Sequence, residues 1–459
     1  MKRKYKMESR RVIFRYSHII LVLYLLLMPS SIYAKRIIYD EPNSKLISLF
    51  KTRGAKYVIR YNHKSSDKVI VPPESEIVFD GGSLNGNLFF DNTLLKGTVR
   101  LQESQLSGTI KNKYFSSEWL CYADGIHDDA NNINQMINVC GRIMFKKGTY
   151  LLSSIHHGPR VENVLDEWQA VAHIGIAKSN VELIGVDDGV IFYTPKRCMT
   201  ICIYSPPYQF FKTVRNVKIQ NITFRAENNG ENFNQLLHTI RVMGVDGLTI
   251  KNCYFDDFYG DAICLHSYGD MPSTGERTRN SNVVIKDNHI KGGQHHSTRN
   301  GVSVVNGVNV SIENNIIEET SRYDMPGAID VEANCDAFSI DNIVIKGNTI
   351  RNCGGTAGGI CINSKGYNAP ANNINIINNH ISGCTSGLAF VVQTNNRTRN
   401  FYIAGNIVEE DTPPLQFIGN GQSSLWTFKN NVFKKRLSRR IPGNIHVDSL
   451  VVKDARKAK

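Results

Sequence analysis

The sequence predicts an all-β fold, a right-handed parallel β-helix, on three observations. A phrase of about nine residues recurs eight times between Asn216 and Phe433. Asparagines stand in phase from copy to copy, and a short helical pattern followed by a strand precedes the series, where an open end of the stack needs cover. Repeats of about 25 to 35 residues, none able to bury an apolar face alone, mark a solenoid that grows by adding coils.

The phrase is an Asn or Gly, a β-branched strand, a polar turn and a second apolar pair. It reads "NVKIQNITF" from Asn216, "GLTIKNCYF" from Gly247, "NVVIKDNHI" from Asn282, "NVSIENNII" from Asn309, "NIVIKGNTI" from Asn342, "NINIINNHI" from Asn373, "NFYIAGNIV" from Asn400 and, more loosely, "SLWTFKNNVF" around Leu425. Alternation puts Ile219, Ile250, Ile285, Ile312, Ile345, Ile376 and Ile403 in one column. Two residues on stand Asn221, Asn252, Asp287, Asn314, Gly347, Asn378, Gly405 and Asn430, types that tolerate a left-handed backbone at a tight turn. The next position holds Asn288, Asn315, Asn348, Asn379, Asn406 and Asn431. Stacked at about 4.8 Å, their amides can hydrogen-bond along the axis, so they read as a structural ladder. Cys353 and Cys384 occupy equivalent places in adjacent coils, about 5 Å apart, a spacing that admits a disulfide or two stacked thiols.

From the N-terminus, residues 1–34 read as an export signal: seven Lys or Arg residues, an apolar run from Ile19 to Met28, and a cut after Ala34. The run is too short to span a bilayer of about 30 Å, so no membrane span is expected once the signal is removed. Seven of the 54 basic and one of the 41 acidic residues lie in this leader, which leaves a body with a net charge near +7. That charge suits anionic partners, uronic-acid or sulfated glycans among them. No nucleic-acid motif is present, and nucleic acid is not an expected partner.

Residues 35–118, with "IVFDGGSLNGNLFFDNTLLKGTV", read as a small segment of short Gly-punctuated strands. The β-helix follows over 119–433, and a basic tail, opening on "KKRLSRR", over 434–459. The ten cysteines lack the spacing of a disulfide framework or a zinc module and read mostly as packing residues.

Each coil carries a further strand: "HTIRVMG" from His238, "DAICLHS" from Asp261, "NGVSVVN" from Asn300, "AIDVEA" from Ala328, "GICINS" from Gly359, "GLAFVV" from Gly387 and "PLQFIG" from Pro414. If Ile240, Ile263, Val302, Ile329, Ile360, Leu388 and Leu415 point inward, two outward columns follow. One is Arg241, Cys264, Ser303, Asp330, Cys361, Ala389, Gln416; the other is Met243, His266, Val305, Glu332, Asn363, Val391, Ile418. The ionisable groups gather in the middle coils. Asp330 and Glu332 are expected about 7 Å apart on one face, with His266 near 10 Å away. Arg241, Arg299 and the loop residues Arg322 and Asp324 can reach the same groove, and Tyr259, Tyr268 and Tyr323 can stack on sugar rings.

A groove holding acids and bases together is a site hypothesis rather than solvated decoration. Glycoside hydrolysis needs a proton donor and a second carboxylate about 5 to 9.5 Å apart, which Asp330 with Glu332, or either with Asp261, can supply. Eliminative cleavage of a uronate needs a base, from Arg299, Arg241 or His266, and a cation for the carboxylate, with Ca²⁺ on Asp330 and Glu332. The residues leave both chemistries open.

The stretch "DGIHDDANNINQMINVCGRIMFKKGTYLLSS" from Asp124 resembles the entry motif of the pectate-lyase-like β-helix superfamily, in which a short helix caps the solenoid. On that resemblance Asp128 and Asp129 are helix-start residues. "YGDAICLHS" is similar to the Gly-Asp-Asp-Cys strand of polygalacturonases, which implies a catalytic role for Asp261. Ala262 replaces the second Asp, Asn300 stands where that family has His, and no Arg-Ile-Lys strand follows. The run from Arg299 to Asn334 looks like a pattern of bacterial and phage β-helix proteins, which implies fold and glycan context rather than a reaction.

The expectation is therefore a secreted or periplasmic bacterial protein that degrades a polysaccharide, as hydrolase or lyase. Asp261, His266, Arg299, Asp330 and Glu332 would be catalytic, and Arg241, Tyr268, Asn300, Arg322, Tyr323 and Asn363 would bind the chain. The alternative is a non-catalytic glycan-binding or adhesion solenoid.

Overall fold

The computed structural model describes residues 35–157, 171–186, 188–195, 198–204, 213–227, 234–266, 279–293, 298–320, 326–333, 339–364, 371–392, 398–409, 411–418, 423–435, 437 and 446–452. Residues 1–34, and with them the export signal, lie outside this set, as does most of the basic tail. Among the described residues no helix is long and apolar enough to cross a membrane.

One coil shows how the phrase folds. Asn280–Lys286 is a strand, Asp287 turns the chain, His289–Lys291 is a second strand, and Val302–Val304 a third. The next coil repeats the order with Gly307–Glu313, Ile316–Glu318 and Gly327–Glu332. Corresponding strands pair in parallel, so the chain winds as a parallel β-helix of three stacks. Two stacks belong to one 22-stranded sheet that bends at the turn, and the third is a ten-stranded sheet. Crossovers between parallel strands of one sheet wind right-handed, because a right-twisted strand packs back only that way.

The apolar column is unbroken. Ile219, Ile250, Ile285, Ile312, Ile345, Ile376 and Ile403 pair in sequence, and Phe428 extends the row. They belong to one buried cluster that runs from Leu46 to Phe433. The N-terminal strands share this core. Lys56–Ile59, Glu76–Phe79 and Ser83–Gly97 also pair in parallel, and Tyr57, Ile59, Ile77 and Leu84 are wholly buried.

All eight turn residues of the column from Asn221 to Asn430 adopt a left-handed backbone, with φ of 52° to 67°. Asparagine reaches that region more readily than other side chains, which is why it alternates here with glycine. At Gly405 an added Cβ would also fall 2.1 Å from Asn378 Oδ1. Gly405→Ala is expected to cost about 2 kcal/mol from backbone strain and that clash, read as a lower denaturant midpoint at unchanged slope.

The internal Asn ladder forms as expected. Each Nδ2 donates to the Oδ1 of the next member: Asn288 to Asn315 and Asn315 to Asn348 at 3.0 Å, Asn348 to Asn379, Asn379 to Asn406 and Asn406 to Asn431 at 2.9 Å. Each also donates to a backbone carbonyl one coil back, as Asn348 does to Ile312. A second, solvent-facing ladder uses the asparagines that open the phrase. Asn309 donates to Asn282, Asn342 to Asn309, and Asn400 to Asn373, and all five have φ between 54° and 58°.

The expected helix is Ala130–Val139, with Ile133, Met136 and Ile137 buried. Asn134 donates to His173 O and accepts from the Gly175 N–H, which satisfies edge groups of the strand Val171–Ile176. Asp129 occupies the N-cap position, but its carboxylate accepts the N–H groups of Tyr122 and Ala123 rather than those of the helix. Asp128 accepts from Ala130, Ser153 and Ser154. Both acids are occupied by structural bonds. Nine described cysteines are free thiols, all but Cys140 buried.

Candidate functional site

The third sheet carries the site, in the register that alternation implies. Arg241 pairs with Cys264, Cys264 with Ser303, Ser303 with Asp330, Asp330 with Cys361, and Glu332 with Asn363. Met243 and His266 head the second column. The surroundings differ from a solvated groove: Arg241 and Asp261 are 0% exposed, Asp330 2%, Asn363 4%, His266 5% and Glu332 6%. Alternation sets the direction of a side chain and is silent about what covers it. Tyr268, Arg322, Tyr323 and Asp324 lie outside the described residues. Tyr259, expected to stack on sugar, is buried with its hydroxyl donating to Glu227 O.

A column three residues ahead of Arg241, Cys264, Ser303 and Asp330 holds the charges in place. His238, Asp261, Asn300 and Gly327 stand in consecutive coils, and each side chain accepts the N–H of the next residue. Asp261 N–H donates to His238 Nδ1 at 3.3 Å, Asn300 N–H to Asp261 Oδ1 at 3.1 Å, and Gly327 N–H to Asn300 Oδ1 at 3.3 Å. Arg299 closes on Asp261 through Nη1, 2.9 Å from Oδ2 and 3.2 Å from Oδ1. Its own N–H donates to Gly260 O at 2.7 Å. Asn300 Nδ2 donates to Ser303 Oγ at 2.9 Å.

His238 is the member that the sequence reading missed, although it opens the strand "HTIRVMG" in register with Asp261. Burial pushes its imidazole well below the ordinary histidine range, helped by the cations of Arg241 and Arg299, so it stays neutral and can accept at Nδ1. Burial also raises Asp261, against the opposing pull of Arg299 and the Asn300 N–H. Removing the guanidinium would strand a buried carboxylate: Arg299→Ala is expected to cost about 3 kcal/mol, measured by equilibrium unfolding.

Asp330 and Glu332 do not stand apart. Burial pushes the Asp330 carboxyl far up, the Glu332 charge adds to this, and a hydrogen bond between the two side chains favours the protonated form.

Two donor sets bear on a metal. Ligand atoms of His238, Asp261 and Cys264 lie within 4.8 Å of one another, but Arg299 already holds both Asp261 oxygens and would oppose a cation. The Asp330, Glu332 and Asn363 set fits better. Asp330 Oδ1 and Asn363 Oδ1 are buried acceptors with no hydrogen-bond partner among the described residues, and Glu332 pairs in register with Asn363. Oxygen-only donors of this kind suit Ca²⁺.

The class of protein follows from the stacked sheets: a right-handed parallel β-helix with a buried ionic row on one face. No protein-family model matches the chain, and no curated protein matches it. Among solved structures it is similar to a tailspike protein of Acinetobacter baumannii bacteriophage Fri1, a capsular polysaccharide depolymerase, at 13% identity and a TM-score of 0.43. That match covers 76% of this chain and 66% of the tailspike, so the chain spans just under two thirds of its length. It is also similar to PfbA, a surface adhesin of Streptococcus pneumoniae, at 13% identity and 0.40, covering 83% and 82%. An Azotobacter vinelandii mannuronan C-5 epimerase A-module matches at 13% and 0.34, covering 71% and 96%.

Proposed function

We propose that the protein is an exported enzyme that cleaves a glycosidic bond of a polysaccharide, using the buried Asp330 carboxyl beside Glu332 as its acid. The observation that carries this reading is the buried pair itself. A carboxyl whose burial favours its protonated form can give its proton to a departing sugar oxygen, in hydrolysis and in elimination alike. Arg299, fixed by Asp261, lies close enough to act electrostatically on both carboxyls. It can stabilise negative charge on a substrate carboxylate or in the transition state. Asp261, Asn300 and His238 position that guanidinium, and His266 borders the same row.

Sugar hydroxyls are donors, and the buried, unpartnered acceptors Asp330 Oδ1 and Asn363 Oδ1 would receive a hydroxyl that displaced their cover. Those oxygens also favour a second reading, elimination with Ca²⁺ held by Asp330, Glu332 and Asn363; the ion would neutralise a uronate carboxylate.

The test is a panel of neutral and uronic-acid glycans, following reducing ends and the absorbance of unsaturated products, with and without chelator. Reducing ends alone, insensitive to chelator, are expected for hydrolysis. Both signals, lost with chelator and restored by Ca²⁺, mark elimination. Binding without either signal overturns the enzyme and leaves a glycan-binding solenoid.

A further inference from the structure

At the corner between the second and third stacks, two coils place a cysteine at the same point. Arg351 pairs with Ser382 in an unshifted parallel register, and Cys353 and Cys384 each follow two residues later. Thr385 N–H donates to Cys353 O at 3.3 Å, so the parallel spacing persists beyond the strand ends. Both side chains turn inward and are 1% and 4% exposed, while their neighbours Asn352, Gly383 and Thr385 are exposed. Adjacent in-register strands set Cα atoms about 4.8 Å apart, inside the range that a disulfide spans.

We propose that Cys353 and Cys384 form a reversible disulfide that ties consecutive coils together, closed by thiol–disulfide exchange with an oxidised small-molecule or protein disulfide. The inference is independent of the glycan reading. When the corner opens enough to admit the reagent, one of the two cysteines attacks as thiolate on one sulfur of the incoming disulfide and releases one thiolate; the other cysteine then displaces the second. Two thiols of the protein are oxidised, one disulfide is reduced to two thiols, and the two protons leave with them.

The two thiols are held alike: Cys353 Sγ donates to Arg351 O at 3.4 Å and Cys384 Sγ to Ser382 O at 3.2 Å, each to the carbonyl two residues back. No other described cysteine has this geometry. Cys264 and Cys361 share a column but are separated by the coils of Ser303 and Asp330. The coil of Cys353 continues into Gly358–Ser364 and so into Asn363, and the coil of Cys384 into the adjoining strand Leu388–Val392. The bond would therefore fix the spacing of the strands at the downstream end of the ionic row.

The folded, full-length chain is equilibrated in mixtures of reduced and oxidised glutathione, quenched with an alkylating agent, and digested for mass spectrometry. The expected result is a 353–384 cross-linked peptide, two hydrogens lighter than the pair of free peptides. It should be abolished by dithiothreitol and by either Cys353→Ser or Cys384→Ser, and be retained in Cys361→Ser. The oxidised form should also melt at a higher temperature than the reduced form, a difference absent in Cys384→Ser. Singly alkylated Cys353 and Cys384 at the most oxidising mixture, or cross-links to other cysteines, would overturn the proposal. If a serine variant fails to fold, the parent's peptide map alone decides.

Discussion

Asp330→Asn is expected to lower turnover of a cleaved glycan by about 10²- to 10⁴-fold, the size of effect that a positioned acid contributes. Asparagine keeps the shape and can still bond to Glu332, so the circular dichroism spectrum and melting curve should stay close to those of the parent. Retained turnover would move the proton donor elsewhere. The pH profile gives an independent reading. Burial, and then the charge of Glu332, raise Asp330, so the acid form and the activity persist below that raised value and fall as pH rises through it. Glu332→Gln removes the charge, and the basic limb of the rate profile should move to lower pH. The same shift has a stability signature: the folded state holds this proton more tightly than the unfolded chain. Its contribution is complete below the unfolded value and is lost as pH rises through the folded one.

Asn348→Ala should be among the most destabilising single changes in the coils, at about 4 kcal/mol. Asn348 is 1% exposed; its amide donates to Ile312 O and Asn379 Oδ1, and its Oδ1 accepts the N–H and Nδ2 of Asn315. Truncation leaves buried donors on Asn315 without a partner, at about 1 to 3 kcal/mol for each orphaned group. Urea unfolding followed by fluorescence and by circular dichroism would measure it. Because coils contact mainly their neighbours, the two probes need not coincide. An unchanged midpoint would mean that water replaces the amide.

The fold was legible because its determinants repeat. Left-handed turns restrict the residue at Asn221 or Gly405, the inner ladder restricts Asn348, and the two requirements one position apart produce a pattern that chance does not imitate. The columns of the third sheet were legible for the same reason, down to the pairing of Ser303 with Asp330. What periodicity does not carry is everything that happens once. Burial of Arg241 depends on what covers the sheet, and the raised Asp330 carboxyl depends on the same burial. His238 looked like an ordinary strand opener because its partner is the backbone N–H of Asp261, and a backbone group leaves no trace in the identity of a residue.

The outer and inner asparagine ladders share one spacing, and this makes the coil a unit of inheritance. Excising the chain from Asn309 to Asp341 would set Asn342 where Asn309 stood, facing Asn282, and Asn348 where Asn315 stood, facing Asn288. Ile345 would come to lie on Ile285. Every scaffold contact closes again across such a deletion, yet Asp330 and Glu332 leave with the excised coil. Whole turns can therefore be removed at little cost to the scaffold, while the acid pair sits on a single turn and is lost with it.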